Sequence, residues 1–198
     1  MKLEVLPSIA VALVSITGLL LLVSWDWRLS IASLAVQYIG AFMLVLVSWP
    51  VELAVIKLVA GWMAGAVLGV AMVGMPQARS GENRFHLSEL LLRLLVGSMI
   101  GLVAISVAPR MIGWVRDVSI QQASGGLILI GIGLLQLGLG VQPLRIFLGL
   151  LTFLTGFEVI YAALETSTLV SGLLAGVNLG LALVATFLLS STEEPGAE

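Results

Sequence analysis

The segment SWPVELAVIKLVAGWMAGAVLGVAMVGM, from Ser48 to Met75, decides how the rest of the chain is interpreted. It is long and apolar enough to cross a bilayer, which takes about 20 residues in a helix. Yet Lys57 lies inside the apolar run and Glu52 lies near its start. A central lysine costs about 2.5–3.5 kcal/mol on insertion scales, so a membrane helix retains one only where a partner or a function offsets that cost.

The composition indicates that most of the chain, and not only this segment, lies in a lipid bilayer. Of 198 residues, 60% are hydrophobic and 10% are charged, whereas about a quarter of the residues in a soluble domain are charged. The formal net charge of −2 does not favour a nucleic-acid partner. With no Cys and one His, the sequence predicts no metal site and no cofactor in this chain.

Seven apolar runs have the length of a membrane span, and the breaks between them carry Trp, Pro or charged residues. We therefore predict an all-α, polytopic transmembrane helix bundle with about seven spanning helices and no sizeable soluble domain. Because only Trp49 and Pro50 divide the second run from the third, one kinked hairpin is the alternative there. The predicted spans are Leu6–Val23, Leu29–Ser48, Val51–Val73, Leu87–Val107, Ile120–Leu139, Leu144–Leu164 and Thr168–Leu189.

Within a single integral membrane domain, residues 1–198, we distinguish a four-helix part at residues 1–117, a three-helix part at 118–190 and an acidic tail at 191–198. The basic residues then predict the orientation of the domain. The positive-inside rule places the N-terminus outside and the tail in the cytoplasm. With seven spans, the outer side carries Lys2, Arg110 and Arg116, and the inner side carries Arg28, Arg79, Arg84, Arg93 and Arg145.

Two glycine series with a spacing of four predict faces for helix packing. Such a spacing places small residues on one side of a helix, where two backbones can approach closely. The glycine-rich run at Gly125–Gly140 has G-x-G spacings as well, but no strand precedes it, so it also predicts packing and not nucleotide binding. The two series are Gly61, Gly65 and Gly69, and Gly172, Gly176 and Gly180.

Lys57 shares a helix face with Gly61 and Ala64, at i+4 and i+7. The lysine is therefore expected to start on the face that meets another helix. The alternative is snorkelling, because Lys57 follows Pro50 by about 10 Å of helix and its stem can reach the headgroups. Glu52 lies on a different face, near the positive end of its helix, and has a mainly structural role.

Glu158 is the second charge inside a predicted span. Thr155, Ala162 and Glu165 share its face at i−3, i+4 and i+7, which makes a polar stripe in an apolar helix. A membrane carboxyl that takes up and releases a proton is a relay element, so Lys57 and Glu158 are the proton-path candidates. A neutral Glu158 used only for packing is the alternative. Asn178 can bridge helices but cannot titrate.

The last three spans resemble the three-helix family that contains complex I subunit K and the C component of Mrp antiporters. The sequence GFE at Gly156–Glu158 matches the G-[IF]-E-type motif of that family, which implies that Glu158 is its proton-path glutamate. Many members carry a second glutamate in the third helix, whereas this chain has Asn178 near that place.

The N-terminal half extends the resemblance. WRLSIASLAVQYIGAFMLV, followed by AVIKLVAGWMAGAVL, is similar to component E of hydrogenase-4-type membrane complexes, with a lysine in its third helix that Lys57 would match. The resemblance implies antiporter-like polytopic partners, no cofactor in this chain and a place in a prokaryotic cell (inner) membrane. A stand-alone small-solute carrier, or an architectural membrane protein whose buried charges hold helices together, is the alternative function.

Overall fold

The computed structural model describes residues 2–74, 87–113, 118–140 and 142–191, and over these residues it contains seven α-helices and no strand. All seven are long and apolar enough to cross a membrane. The predicted all-α bundle is confirmed, and the chain is a multi-pass integral membrane protein. The helices are α1 Lys2–Val23, α2 Trp27–Val45, α3 Val51–Gly74, α4 Leu87–Ile112, α5 Ile120–Leu139, α6 Pro143–Tyr161 and α7 Thr168–Ser191.

Several residues used in the sequence predictions lie outside the described part of the chain. They include the loop at residues 75–86 with Arg79 and Arg84, the segment 114–117 with Arg116, and the acidic tail from residue 192 onward. The side chain of Lys2 lies outside it as well. The orientation of the bundle therefore stays a prediction.

Two helix boundaries test the predicted spans. A break was predicted before Pro109, but α4 continues through this proline to Ile112. The proline lies in the last turn, where the loss of one backbone hydrogen bond does not stop the helix. Between α2 and α3, by contrast, a turn at residues 46–50 does separate two helices, so the kinked-hairpin alternative is wrong.

The four-helix and three-helix parts interlock. Helix α5 packs against α1 and α4 as well as against α6, and α7 packs along α3. Helix α2 contacts both α3 and α6. The contact between α2 and α6 brings side chains from the two parts of the sequence into one buried interior.

Helices α5 and α6 approach each other closely, and glycines from both helices face each other there. A β-carbon on Gly133 would lie 2.5 Å from the backbone nitrogen of Phe153, and one on Gly156 would lie 2.6 Å from the carbonyl oxygen of Gly126. The packing role predicted for the run at Gly125–Gly140 is thus confirmed. Backbone contact of this kind fixes the position of α6, which carries Glu158.

Candidate functional site

Lys57 points into the bundle. The residue is 4% exposed, and Ala64 on the same face of α3 is fully buried. The inward orientation predicted from Gly61 and Ala64 is confirmed. The ammonium group does not extend to the helix end, because it forms an ion pair with the carboxylate of Glu158 on α6. The snorkelling alternative is therefore wrong.

Glu158 has a partner on each carboxylate oxygen. Oε2 accepts from Lys57 Nζ, and Oε1 accepts a hydrogen bond of 2.8 Å from Nδ2 of Asn178 on α7. The glutamate is 3% exposed and Asn178 is 1% exposed. Helix α3 and the two consecutive helices α6 and α7 therefore meet at one carboxylate.

Tyr38 on α2 completes the cluster. Its hydroxyl donates to Oδ1 of Asn178 at 3.3 Å, and its ring centroid lies 5.5 Å from Lys57 Nζ. The ring fits there because Gly61 has no side chain, since a β-carbon on Gly61 would lie 2.2 Å from the ring. We call these four residues, Tyr38, Lys57, Glu158 and Asn178, the charge cluster.

The electrostatics of the charge cluster follow from its burial. Removing an ammonium and a carboxylate from water costs several kcal/mol for each ion, and this cost is offset only by close contact and further hydrogen bonds. Both conditions hold, because Asn178 satisfies the second oxygen of Glu158 and the Tyr38 ring faces the ammonium.

A second polar contact lies beside the charge cluster and was not predicted. Gln37 on α2 donates from Nε2 to Thr152 Oγ1 on α6 at 3.3 Å, and both residues are fully buried. The carbonyl oxygen of Gln37 has no partner among the described residues. Buried, unpaired oxygens of this kind are where ordered water binds. The polar dipeptide at Gln37 and Tyr38, inside an apolar span, was the sequence signal for both residues.

Two carboxylates named with the site lie away from it. Glu52 is exposed at the start of α3. Glu165 was placed on the polar face of Glu158, which is wrong because α6 ends at Tyr161. The chain tightens there into turns, and the Glu165 side chain instead accepts from the backbone nitrogen of Ser167 at 2.9 Å.

The two glycine series have different environments. On α3, Gly61 is in tight contact with Tyr38, whereas Gly65 and Gly69 have Ile31 at ordinary van der Waals distance. On α7, added β-carbons would meet no described atom within 4 Å at any of the three glycines, so the packing predicted for that series is wrong within this chain. The inward face of α7 is instead the one that carries Asn178 and Ala182. The glycines with open space are Gly172, Gly176 and Gly180.

The chain matches no protein-family model, no curated protein and no solved structure. The relationship to the subunit K and component E families therefore stays a prediction.

Proposed function

We propose that the chain is a non-redox membrane subunit of a complex I-like, hydrogenase-like or cation/proton antiporter-like assembly, and that its charge cluster takes part in proton or cation translocation. The observation that supports the proposal most directly is the buried ion pair of Lys57 with Glu158. Ionisable groups inside membrane helices are rare and usually mark ion or proton pathways. The short motifs around these two residues supply the assignment to this class of complex.

The proposed chemistry uses the two protonation states of the pair. A proton that reaches Glu158 neutralises the carboxylate and releases the Lys57 ammonium from its partner. The ammonium stays close to the Tyr38 ring, which favours a cation on its face. Loss of the proton restores the ion pair. A charge change in a neighbouring subunit shifts the balance between these two states, and this couples the subunits electrostatically.

The hydrogen bonds of the charge cluster also support an architectural role, which is the second candidate. Glu158 and Asn178 join α3, α6, α7 and α2 through contacts that satisfy both carboxylate oxygens. A fully satisfied polar network of this kind holds helices in one arrangement even where no ion moves.

The first experiment separates the two classes of function. The protein is extracted in a mild detergent from its native membrane, and its migration is compared with that of the isolated chain. We expect it to migrate with larger polytopic partners. Migration as the isolated chain under several mild conditions would remove the support for a subunit role.

The second experiment tests the charge cluster in the assembled complex, reconstituted into vesicles with a pH-sensitive dye. Glu158→Gln keeps the size and hydrogen bonding of the side chain but cannot release a proton. A flip of the Asn178 amide keeps the hydrogen bonds matched, and the substitution removes only the counter-charge of Lys57. We expect the variant to retain its partners and to lose most of its proton movement.

Glu52→Gln is the matched control, because it removes an exposed carboxylate from α3 and leaves the pair intact. We expect transport near that of the unmodified complex. Normal transport by Glu158→Gln in a complete complex would contradict the relay and leave the architectural role. An equal loss in Glu52→Gln would show that the effect of Glu158→Gln is not specific to the pair.

A further inference from the structure

A cavity of about 430 Å³ opens at the end of the bundle where α1 and α5 end and where α4 and α6 begin. Its lining includes Trp25, Glu89, Arg93, Gln142 and Arg145. None of these residues belongs to the charge cluster. We call this space the arginine cavity.

Two guanidinium groups share one indole in the arginine cavity. The Cζ atom of Arg145 lies 4.1 Å from the centroid of the Trp25 ring, and that of Arg93 lies 4.9 Å from it. Arg93 is paired with Glu89 at 2.6 Å, whereas Arg145 has no ion pair with any carboxylate of the described residues. Counted over its described lining residues, the cavity therefore carries one positive charge in excess.

Backbone contacts hold both arginines in place. Arg93 Nη1 donates to the carbonyl oxygen of Leu22 at 3.2 Å, and Arg145 Nη2 donates to the carbonyl oxygen of Ser24. Two like charges fixed this close together repel each other, and a bound anion offsets that repulsion. Planar guanidinium groups are well suited to phosphate oxygens. The N-terminus of α6, which begins one residue after Gln142, adds a positive helix end beside the same space.

A buried amide lines a small recess next to the arginine cavity. Gln136 on α5 is 5% exposed, and its Oε1 has no hydrogen-bond partner among the described residues. It lines a space of about 10 Å³ together with Arg93 and Arg145. This is close to the volume that one water molecule needs. The recess is therefore a position for a water that extends the polar surface around the two arginines.

An apolar groove runs along the face of α4 that carries Arg93. It has a volume of about 670 Å³, lies between α4 and α5 and contains no polar side chain. Arg93, Val96, Ile100, Val103 and Val107 succeed one another at spacings of three or four, so they share one helix face. From Val96 to Val107 the groove runs for about 16 Å, roughly half of a 30 Å hydrocarbon core.

We propose that the arginine cavity binds the phosphate of an anionic phospholipid and that one acyl chain of this lipid lies in the groove between α4 and α5. The excess positive charge selects an anionic headgroup over a zwitterionic one. The groove distinguishes a lipid from a free phosphate, because only a lipid brings a chain to fill it. Basic pockets between membrane helices bind anionic headgroups in this manner.

The experiment measures lipid retention by native mass spectrometry on the full chain in detergent. The probes are dioleoyl phosphatidylglycerol, dioleoyl phosphatidylcholine and glycerol 3-phosphate. We expect the phosphatidylglycerol to bind at least about ten-fold more tightly than the phosphatidylcholine, because one charge-assisted contact contributes roughly that factor. Glycerol 3-phosphate is expected not to bind measurably. Equal binding of the two lipids would overturn the proposal, and so would binding of glycerol 3-phosphate as tight as that of the lipid.

The variants locate the site. Arg145→Gln should remove the preference for phosphatidylglycerol. Arg28→Gln removes the same charge from the start of α2, where Arg28 is exposed and its Cζ lies 5.4 Å from the Trp27 ring, and should keep the preference. An equal loss in both variants would show that the net charge of this end, and not the cavity, attracts the lipid.

A further variant tests the groove without touching the arginines. Val103 is 60% exposed on α4, so Val103→Trp fills the groove while the helix keeps its core contacts. We expect dioleoyl phosphatidylglycerol to bind several-fold more weakly and dihexanoyl phosphatidylglycerol to bind unchanged. An unchanged affinity for the long-chain lipid would contradict the placement of an acyl chain between α4 and α5.

Discussion

Gly61 and Tyr38 are in direct contact, and a β-carbon on Gly61 would overlap the tyrosine ring, 2.2 Å from its Cδ1 atom. Lys57 lies one helical turn before Gly61, and its ammonium lies 5.5 Å from the centroid of the same ring. The missing side chain at Gly61 therefore sets the position of an aromatic face for the buried cation.

The first prediction follows from that contact. Gly61→Ala should lower the stability of the protein by about 1–3 kcal/mol, the usual range for overpacking a well-filled core. Thermal unfolding in detergent measures the change. Gly65→Ala is the matched control one turn later, because its β-carbon would lie 4.0 Å from Ile31, and it should change stability little. Equal effects of the two substitutions would contradict the Gly61–Tyr38 contact.

The second prediction concerns the α7 glycines. Gly176→Leu should leave the stability of the isolated chain within about 0.5 kcal/mol of its original value, because Gly176 is exposed and a β-carbon there would meet no described atom within 4 Å. The same variant is then assayed for retention of partners. Loss of partners while the stability of the isolated chain is unchanged would identify this face as a surface between subunits. A large loss of stability of the isolated chain would contradict the described packing of α7.

The third prediction is a double-mutant cycle on the ion pair. Lys57→Met and Glu158→Gln should each destabilise the protein, with about 3 kcal/mol expected where a buried pair loses one partner. The double variant should lose less than the sum of the two, by roughly 0.5–3 kcal/mol. Denaturant titration of all four proteins in detergent gives the coupling free energy. A coupling near zero would show that the two side chains do not interact.

The fourth prediction concerns Asn178, which bridges Glu158 and Tyr38. Asn178→Leu should cost about 1–3 kcal/mol, because it leaves a carboxylate oxygen without its donor. Tyr38→Phe removes the 3.3 Å hydrogen bond to Asn178 and the hydrogen bond of the hydroxyl with Thr155. It leaves both oxygens of Glu158 with their donors and should have the smaller effect. The comparison uses thermal unfolding in the same detergent. A larger loss of stability in Tyr38→Phe than in Asn178→Leu would contradict this ranking of the two substitutions.

Much of the fold could be predicted from the sequence, because the bilayer imposes the length and polarity of each span. The inward face of Lys57 was also predictable, since small residues at i+4 and i+7 mark the side that meets another helix. The pairing of Lys57 with Glu158 was not, because it depends on how α3 and α6 pack across 101 residues of sequence. The spacing of residues along one helix does not identify the residue that each of them contacts on another helix.

The errors have physical causes as well. A series of glycines four residues apart shows that one helix face lacks side chains. It does not show whether that face is turned toward the core of the bundle or toward the lipid. Asn178 lies about 200° around α7 from Gly176 at 100° per residue, and burial of its amide in the charge cluster turns the glycines outward. Glu165 was placed on the face of Glu158 because the hydrophobic pattern continues to Leu164, whereas the backbone already turns after Tyr161.

The separation of 101 residues between Lys57 and Glu158 has a consequence for biogenesis. At about 5–20 residues per second of synthesis, α3 leaves the ribosome roughly 5–20 s before α6. During that interval the lysine has no glutamate to neutralise it. The apolar residues of α3 alone must then hold the helix in the membrane, or the insertion machinery must retain it until α6 arrives. The timing of synthesis, and not only the finished structure, therefore limits how polar α3 can become.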